Sequence, residues 1–223
     1  MRLSKFEIFL WATSSVAVTV SFFFSAEKNY LTLITSLIGA AALIFLAKGH
    51  ILGQVLALAF ATLYGLVSLS YRYYSEVITY LGMNAPMALL SFFSWLKNPY
   101  GKRSEVRVGR IRRKHFVIMP ILTAVVTVIF YFAMRALSTP HLWISTLSIL
   151  TSFVASYLTY LRTRYYALAY AVNDLVLIAM WVLASFDEPS YIPMTACFVT
   201  FLFNDLYAFF NWGKMQKMQE RGN

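Results

Sequence analysis

Two stretches of the chain hold the side chains best suited to chemistry: NDLVLIAMW, beginning at Asn173, and NDLYAFFNW, beginning at Asn204. Each sets an amide beside a carboxylate inside an apolar run that ends in tryptophan. A carboxylate in the centre of a bilayer costs about 2.5–3.5 kcal/mol on insertion scales, so it normally faces a bundle interior and marks a site or pathway. On a helix, Tyr170, Asn173, Asp174, Leu177 and Trp181 share one face. That face offers an aromatic surface, an amide that both donates and accepts, a carboxylate and a second aromatic. In the other stretch Thr200, Asn204, Tyr207 and Asn211 line one face, while Asp205 is turned roughly 100° from Asn204. Asp205 is read equally as a functional group and as a structural partner for a neighbouring helix.

These groups recognise rather than break bonds. The chain has no GxxxxGK[ST] phosphate loop, no HExxH and no Cys/His cluster with metal-ligand spacing, so no catalytic residue, metal or cofactor is expected. No Lys or Arg lies deep within an apolar segment, which leaves a phosphate without its usual partner. The cargo read from the residues is neutral or cationic. Aromatic faces with a carboxylate favour a flat, positively charged ring, through stacking and a cation–π attraction of about 0.5–2 kcal/mol.

The elements that must position these groups follow from composition. Of 223 residues, 60% are hydrophobic and 13% charged, with a mean hydropathy of +0.64. The apolar residues fall in blocks of about twenty, the length that crosses roughly 30 Å of hydrocarbon as helix. Eight spans are predicted, at 7–25, 30–47, 51–70, 74–96, 115–137, 141–160, 164–184 and 190–212. The single cysteine, Cys197, reads as a small buried hydrophobe and excludes an internal disulfide.

The net charge of +10 does not point to nucleic acid, because of where it sits. With the N-terminus in the cytoplasm, only Lys28, Arg72 and Arg135 of the 19 basic residues fall outside. This bias predicts both termini in the cytoplasm. The segment KNPYGKRSEVRVGRIRRKH is read as a topology anchor that also meets the lipid bilayer.

An internal repeat organises the spans. SFFSWLK from Ser91 overlies AFFNWGK from Ala208 at an offset of 117, and LITSLIGA from Leu33 overlies ILTSFVAS from Ile149 at an offset of 116. Four spans separate each helix from its counterpart, so the repeats are parallel, an arrangement that places a transporter's substrate near the midplane. The predicted fold is all-α and integral to the membrane. Its divisions are an extra N-terminal helix (1–28), a three-helix repeat (29–96), a basic loop and linker helix (97–140), a second repeat (141–213) and a tail (214–223). In the first repeat Gln54, Thr62, Tyr64 and Asn84 are polar, and Pro86 is expected to free a carbonyl and kink its helix.

The stretches AKGHILGQVLALAFATLYG, SWLKN, RTRYYALAYAVNDLVLIAMW and FLFNDLYAFFNW together resemble the PnuC family of bacterial vitamin transporters, whose usual member carries nicotinamide riboside. The resemblance covers most of the chain after the first helix. It implies a SWEET-like 3+1+3 core in the bacterial inner membrane, a homotrimer, and facilitated diffusion sustained by a cytoplasmic riboside kinase. Relatives commonly place Trp where this chain has Tyr170, three residues before the Asn at position 173. The candidate substrate-binding set is then Gln54, Tyr64, Tyr170, Asn173, Asp174, Trp181, Asn204 and Tyr207. Pro86, Trp95, Asn98, Asp205 and Asn211 are gate or structural candidates. Competing readings are thiamine or another vitamin or nucleoside carried by the same fold, and, from a different class, an intramembrane enzyme or a membrane subunit that transports nothing alone.

Overall fold

The computed structural model describes residues 3–24, 29–70, 73–101, 105–139, 141–187 and 189–222. Position 25 at the end of the first expected span, and the charges of Arg2, Lys28, Arg72, Lys102 and Arg103, lie outside these residues. Among them the chain is helical, with eight segments long and apolar enough to span a membrane. These are α1 (Lys5–Phe24), α2 (Tyr30–Ala47), α3 (Ile51–Ser70), a composite of α4 (Tyr74–Thr79) and α5 (Ala85–Leu96), α6 (His115–Ala136), α7 (Leu142–Tyr160), α8 (Tyr165–Asp187) and α9 (Ile192–Arg221). The expected spans are found. α9 runs on through Lys214–Arg221, a stretch of good helix formers that continues beyond its apolar part.

Local chemistry sets the ends. The Asn29 side chain accepts from the Thr32 amide at 3.2 Å and caps α2. Gly49, at φ +63°, turns the chain from α2 into α3. Between α4 and α5 the residues Tyr80–Asn84 form a turn of π-helix, in which the Ala85 amide reaches the Tyr80 carbonyl. It immediately precedes Pro86, so the expected irregularity takes the form of a π-bulge rather than a broken helix.

Six helices close into a ring in chain order: α2, α3, α5, α7, α8, α9 and back to α2. The contacts come in matched pairs. α2 meets α3 as α7 meets α8, α3 meets α5 as α8 meets α9, and α5 meets α7 as α9 meets α2. α1 packs outside the ring against α9 and α2, and α6 lies at the edge against α7. The ring therefore has an interior that α1 and α6 do not enter.

One face of the ring carries the α2–α3 and α7–α8 turns and the tail of α9; it is the basic face. The segment following α5 crosses it in an ordered path. Arg107 N–H donates to Asn98 O (2.9 Å), Val106 N–H to Gly49 O (2.9 Å) and Gly109 N–H to Arg162 O (2.8 Å). Val108 N–H donates to Gln219 Oε1 (2.8 Å), and Gln219 Nε2 to Val106 O (3.1 Å). Charge bias alone marks this segment as a loop, yet it is stitched to the ends of α2, α5, α7 and α9.

Candidate functional site

The ring encloses a cavity of about 80 Å³ near the middle of the spans. Its polar lining is Asn84, Tyr170, Asn173, Asp174, Asp205 and Tyr80; Phe60, Phe198 and Phe201 supply aromatic walls. Among the described residues that line it there is no Lys, Arg or His. Asp174 and Asp205 are 2% exposed and lie within interaction distance of each other. Asp174 Oδ2 and Asp205 Oδ1 have no hydrogen-bond partner. A buried, unpartnered polar atom is expensive, and two adjacent carboxylates in the lining of one cavity suit a cation or hydroxyl and amide protons.

The amides are oriented by α7. Ser152 Oγ donates to Asn173 Oδ1 at 2.9 Å, and Thr151 Oγ1 lies 2.7 Å from the same oxygen. Ser156 Oγ donates to Asn84 Oδ1 at 3.3 Å and lies 3.0 Å from the Tyr170 hydroxyl. With both carbonyl oxygens engaged, the amide nitrogens of Asn84 and Asn173 are the groups left to meet a ligand. Donors on one side and carboxylate acceptors on the other suit a ligand with both an oxygen acceptor and protic groups.

Gly39 explains how the aromatic wall closes. A Cβ there would run into the Phe201 ring and come within 2.8 Å of Phe60, so only glycine lets both rings fold over α2. The cavity volume is below the roughly 300 Å³ lower end of small-molecule sites.

Aromatic groups pack at both ends of the cavity. Towards the basic face, Trp95 and Trp212 pack with ring centroids 5.4 Å apart and tilted by 53°, with Tyr166 5.0 Å from Trp212. Their indoles bond to the neighbouring helix of the other half: Trp95 Nε1 donates to Thr159 O (3.0 Å) and Trp212 Nε1 to Leu46 O (2.9 Å). The residues before them do the same, Ser94 Oγ to Tyr160 O (2.8 Å) and Asn211 Nδ2 to Ala47 O (2.8 Å). Towards the opposite face, Trp181 Nε1 donates to the Tyr64 hydroxyl (2.9 Å), and Tyr64 packs on Tyr80 at 4.2 Å. Tyr73, outside the spans, sits 5.0 Å from Trp181; burial raises its phenol to about 12. Tyr64 and Trp181 share the offset of 117 that relates Trp95 to Trp212.

Of the residues singled out in the sequence, Tyr170, Asn173, Asp174 and Asp205 meet in the cavity. Tyr64 and Trp181 lie outside the cavity lining, behind Tyr80, and Trp95, Asn211 and Pro86 belong to the closure and the bulge. Asn98 caps the end of α5 through Ser94 O (2.8 Å). Gln54 is buried in the first turns of α3, outside the cavity lining, with its Nε2 unpartnered. Asn204 and Tyr207 do not face the cavity. Asn204 Nδ2 donates to Ser14 Oγ (2.9 Å) and Tyr207 Oη to Glu7 Oε1 (2.6 Å), both on α1. Asp205 faces the cavity and Asn204, one residue earlier, faces α1, because α9 lies in the ring with α1 packed on its outer side.

Two carboxylates escaped the sequence reading. Glu7 forms a capping box with Ser4 and binds Lys48 Nζ at 3.1 Å, fastening α1 to the α2–α3 turn and α9. Glu76 is fully buried beside Tyr64, Tyr73 and Tyr80. The pattern Ser-x-x-Glu at Ser4 was the available signal for the first; nothing in the sequence distinguishes the second from a charge at a span end.

Residues 29–214 match the family model described as nicotinamide mononucleotide transporter. The chain is 22% identical over 213 residues to the nicotinamide riboside transporter PnuC of Neisseria mucosa, covering 93% of this chain and 81% of the relative. It is 23% identical over 215 residues to the protein of the same name from Haemophilus influenzae, covering 95% and 91%. Its fold matches the crystal structure of the vitamin B3 transporter PnuC with a TM-score of 0.84, at 22% identity and over 98% of this chain and 94% of that one. An acid-bearing cavity within a ring of membrane-spanning helices thus coincides with a family match over most of the length, and this multi-pass membrane protein belongs to the nicotinamide mononucleotide transporter family.

Proposed function

We propose that the chain takes up nicotinamide riboside across the bacterial inner membrane by facilitated diffusion, with both termini in the cytoplasm. The observation that carries this reading is the pairing of Asp174 and Asp205 in a cavity lined by no cationic side chain among the described residues. A pyridinium ring is neutralised there, whereas the phosphate of a mononucleotide would meet two carboxylates. In this reading Asn173 and Asn84 donate to the carboxamide or ribose oxygens, Tyr170 supplies a stacking face, and Tyr64 with Trp181 backs Tyr80 at one end of the cavity. Its name-giving relatives, riboside transporters over nearly the whole chain, agree with it. The unit is divided as the repeat implies: 1–28, 29–96, 97–140, 141–213 and 214–223. Capture of the riboside by a cytoplasmic kinase sustains inward flux, and three copies assemble.

The test is uptake of labelled nicotinamide riboside into liposomes containing only this purified protein. Unlabelled riboside, mononucleotide and thiamine serve as competitors. Saturable uptake blocked by riboside alone is expected. Block by thiamine would move the substrate within the vitamins, and absence of uptake would remove the transport reading for the isolated chain.

A further inference from the structure

The basic face contains a second concavity, of about 380 Å³, between the ordered basic segment and the α7–α8 turn. Arg110, Arg112, Lys114, His115 and Arg162 line it, and no acidic residue does among the described residues. Arg110 is paired with Glu220 at 2.8 Å. Arg112 and Lys114 are exposed and in no ion pair among the described residues.

Two features show that this is built rather than a chance meeting of surface charges. Gly109 lies directly on the turn: its amide donates to Arg162 O, and a Cβ at this position would overlap the Leu161 carbonyl. Only glycine brings the flanking arginines so close to Arg162. Arg162 itself adopts φ +59°, a conformation uncommon outside glycine, and its Nη1 is held by Ser94 Oγ at 2.7 Å. Its Nε is buried with no hydrogen-bond partner. Burial lowers the guanidinium's pKa from the ordinary arginine range, the mark of a charge short of solvent and counter-ion.

Topology does not require such a structure. Charge bias orients a membrane protein by the number of Lys and Arg in a short loop, whatever their arrangement. Here a guanidinium fixed by Ser94 converges with two exposed cations that are in no ion pair among the described residues, the geometry that binds phosphate oxygens. We propose that this cleft is a binding site for a phosphate-bearing anion, either a lipid headgroup or a soluble phosphate compound. Because the same segment is bonded to the ends of α2, α5, α7 and α9, an anion seated there holds the basic ends of both halves of the ring together.

The test uses the full chain in nanodiscs of neutral phosphatidylcholine, with thermal unfolding followed during titration with inorganic diphosphate at ionic strength held constant with sodium chloride. The midpoint is expected to rise saturably. In Arg112→Gln/Lys114→Gln, both exposed positions, the anion-free midpoint stays as in the unsubstituted chain and half-saturation requires about tenfold more diphosphate. Arg162→Lys, which keeps the charge but loses the fork, falls between. If nanodiscs with phosphatidylglycerol raise the midpoint in the same residue-dependent way and abolish the diphosphate response, the site is a headgroup site. A response that never saturates, or one equal in the double variant with either source, would overturn the proposal.

Discussion

The two halves of the ring treat their equivalent positions in opposite ways at the ends and in the middle. At the ends the halves agree: Trp95 and Trp212 face one another, each bonded to the other half, and Tyr64 and Trp181 are joined by a hydrogen bond. In the middle they disagree. At the same offset of 117, Asp174 corresponds to Ala57 and Asp205 to Ala88, and all four line the cavity. Matching side chains are kept where the halves must seal against each other. The charge is confined to one wall, which in the function proposed above would give an asymmetric, cationic ligand a single preferred orientation.

The largest expected effect tests the matched ends. Trp95→Ala and Trp212→Ala each remove a buried indole and should destabilise by about 3–5 kcal/mol. Thermal unfolding in matched lipid should show nearly equal losses. A much smaller loss for Trp95 would mean that the two closures are alike in shape only.

The mismatched middle comes next. Asp174→Asn and Asp205→Asn should each lower riboside uptake at subsaturating concentration by about ten- to a hundredfold, the equivalent of a charged hydrogen bond of about 1.5–3 kcal/mol. Ala57→Ser and Ala88→Ser, on the other wall, should stay within about threefold. Equal sensitivity of both walls in the uptake assay would erase the distinction between them.

The smallest effect concerns the Tyr64–Trp181 pair. Tyr64→Phe keeps the ring but leaves the Trp181 N–H without its acceptor, for a loss of about 1–2 kcal/mol in thermal unfolding. No loss would show that packing alone holds this closure.

The sequence made the eight spans legible because twenty apolar residues between polar breaks have few alternatives in a bilayer. It made the α8 wall legible because Tyr170, Asn173 and Asp174 follow helical spacing on a helix that touches neighbours within the ring. α9 was harder. It has polar residues on two sides, and which side faces the cavity depends on α1, whose docking through Glu7, Ser14 and Lys48 has no pattern longer than a capping box. The path of the basic segment was hidden for a similar reason: it is set by backbone bonds to Gly49, Asn98 and Arg162, which side-chain charges do not encode.

The π-bulge ahead of Pro86 can be counted as well as described. α4 begins after Tyr73 and α9 after Tyr191, a spacing of 118, while Trp95 and Trp212 at the other ends are 117 apart. Between the same two landmarks the first half therefore contains one residue more than the second. A straight α-helix would carry that surplus as a rotation of about 100° and swing every later side chain out of register with its counterpart. The wide turn at Tyr80–Asn84 absorbs the inserted residue locally. Asn84 thus ends the wide turn in the cavity lining while Trp95 stays opposite Trp212.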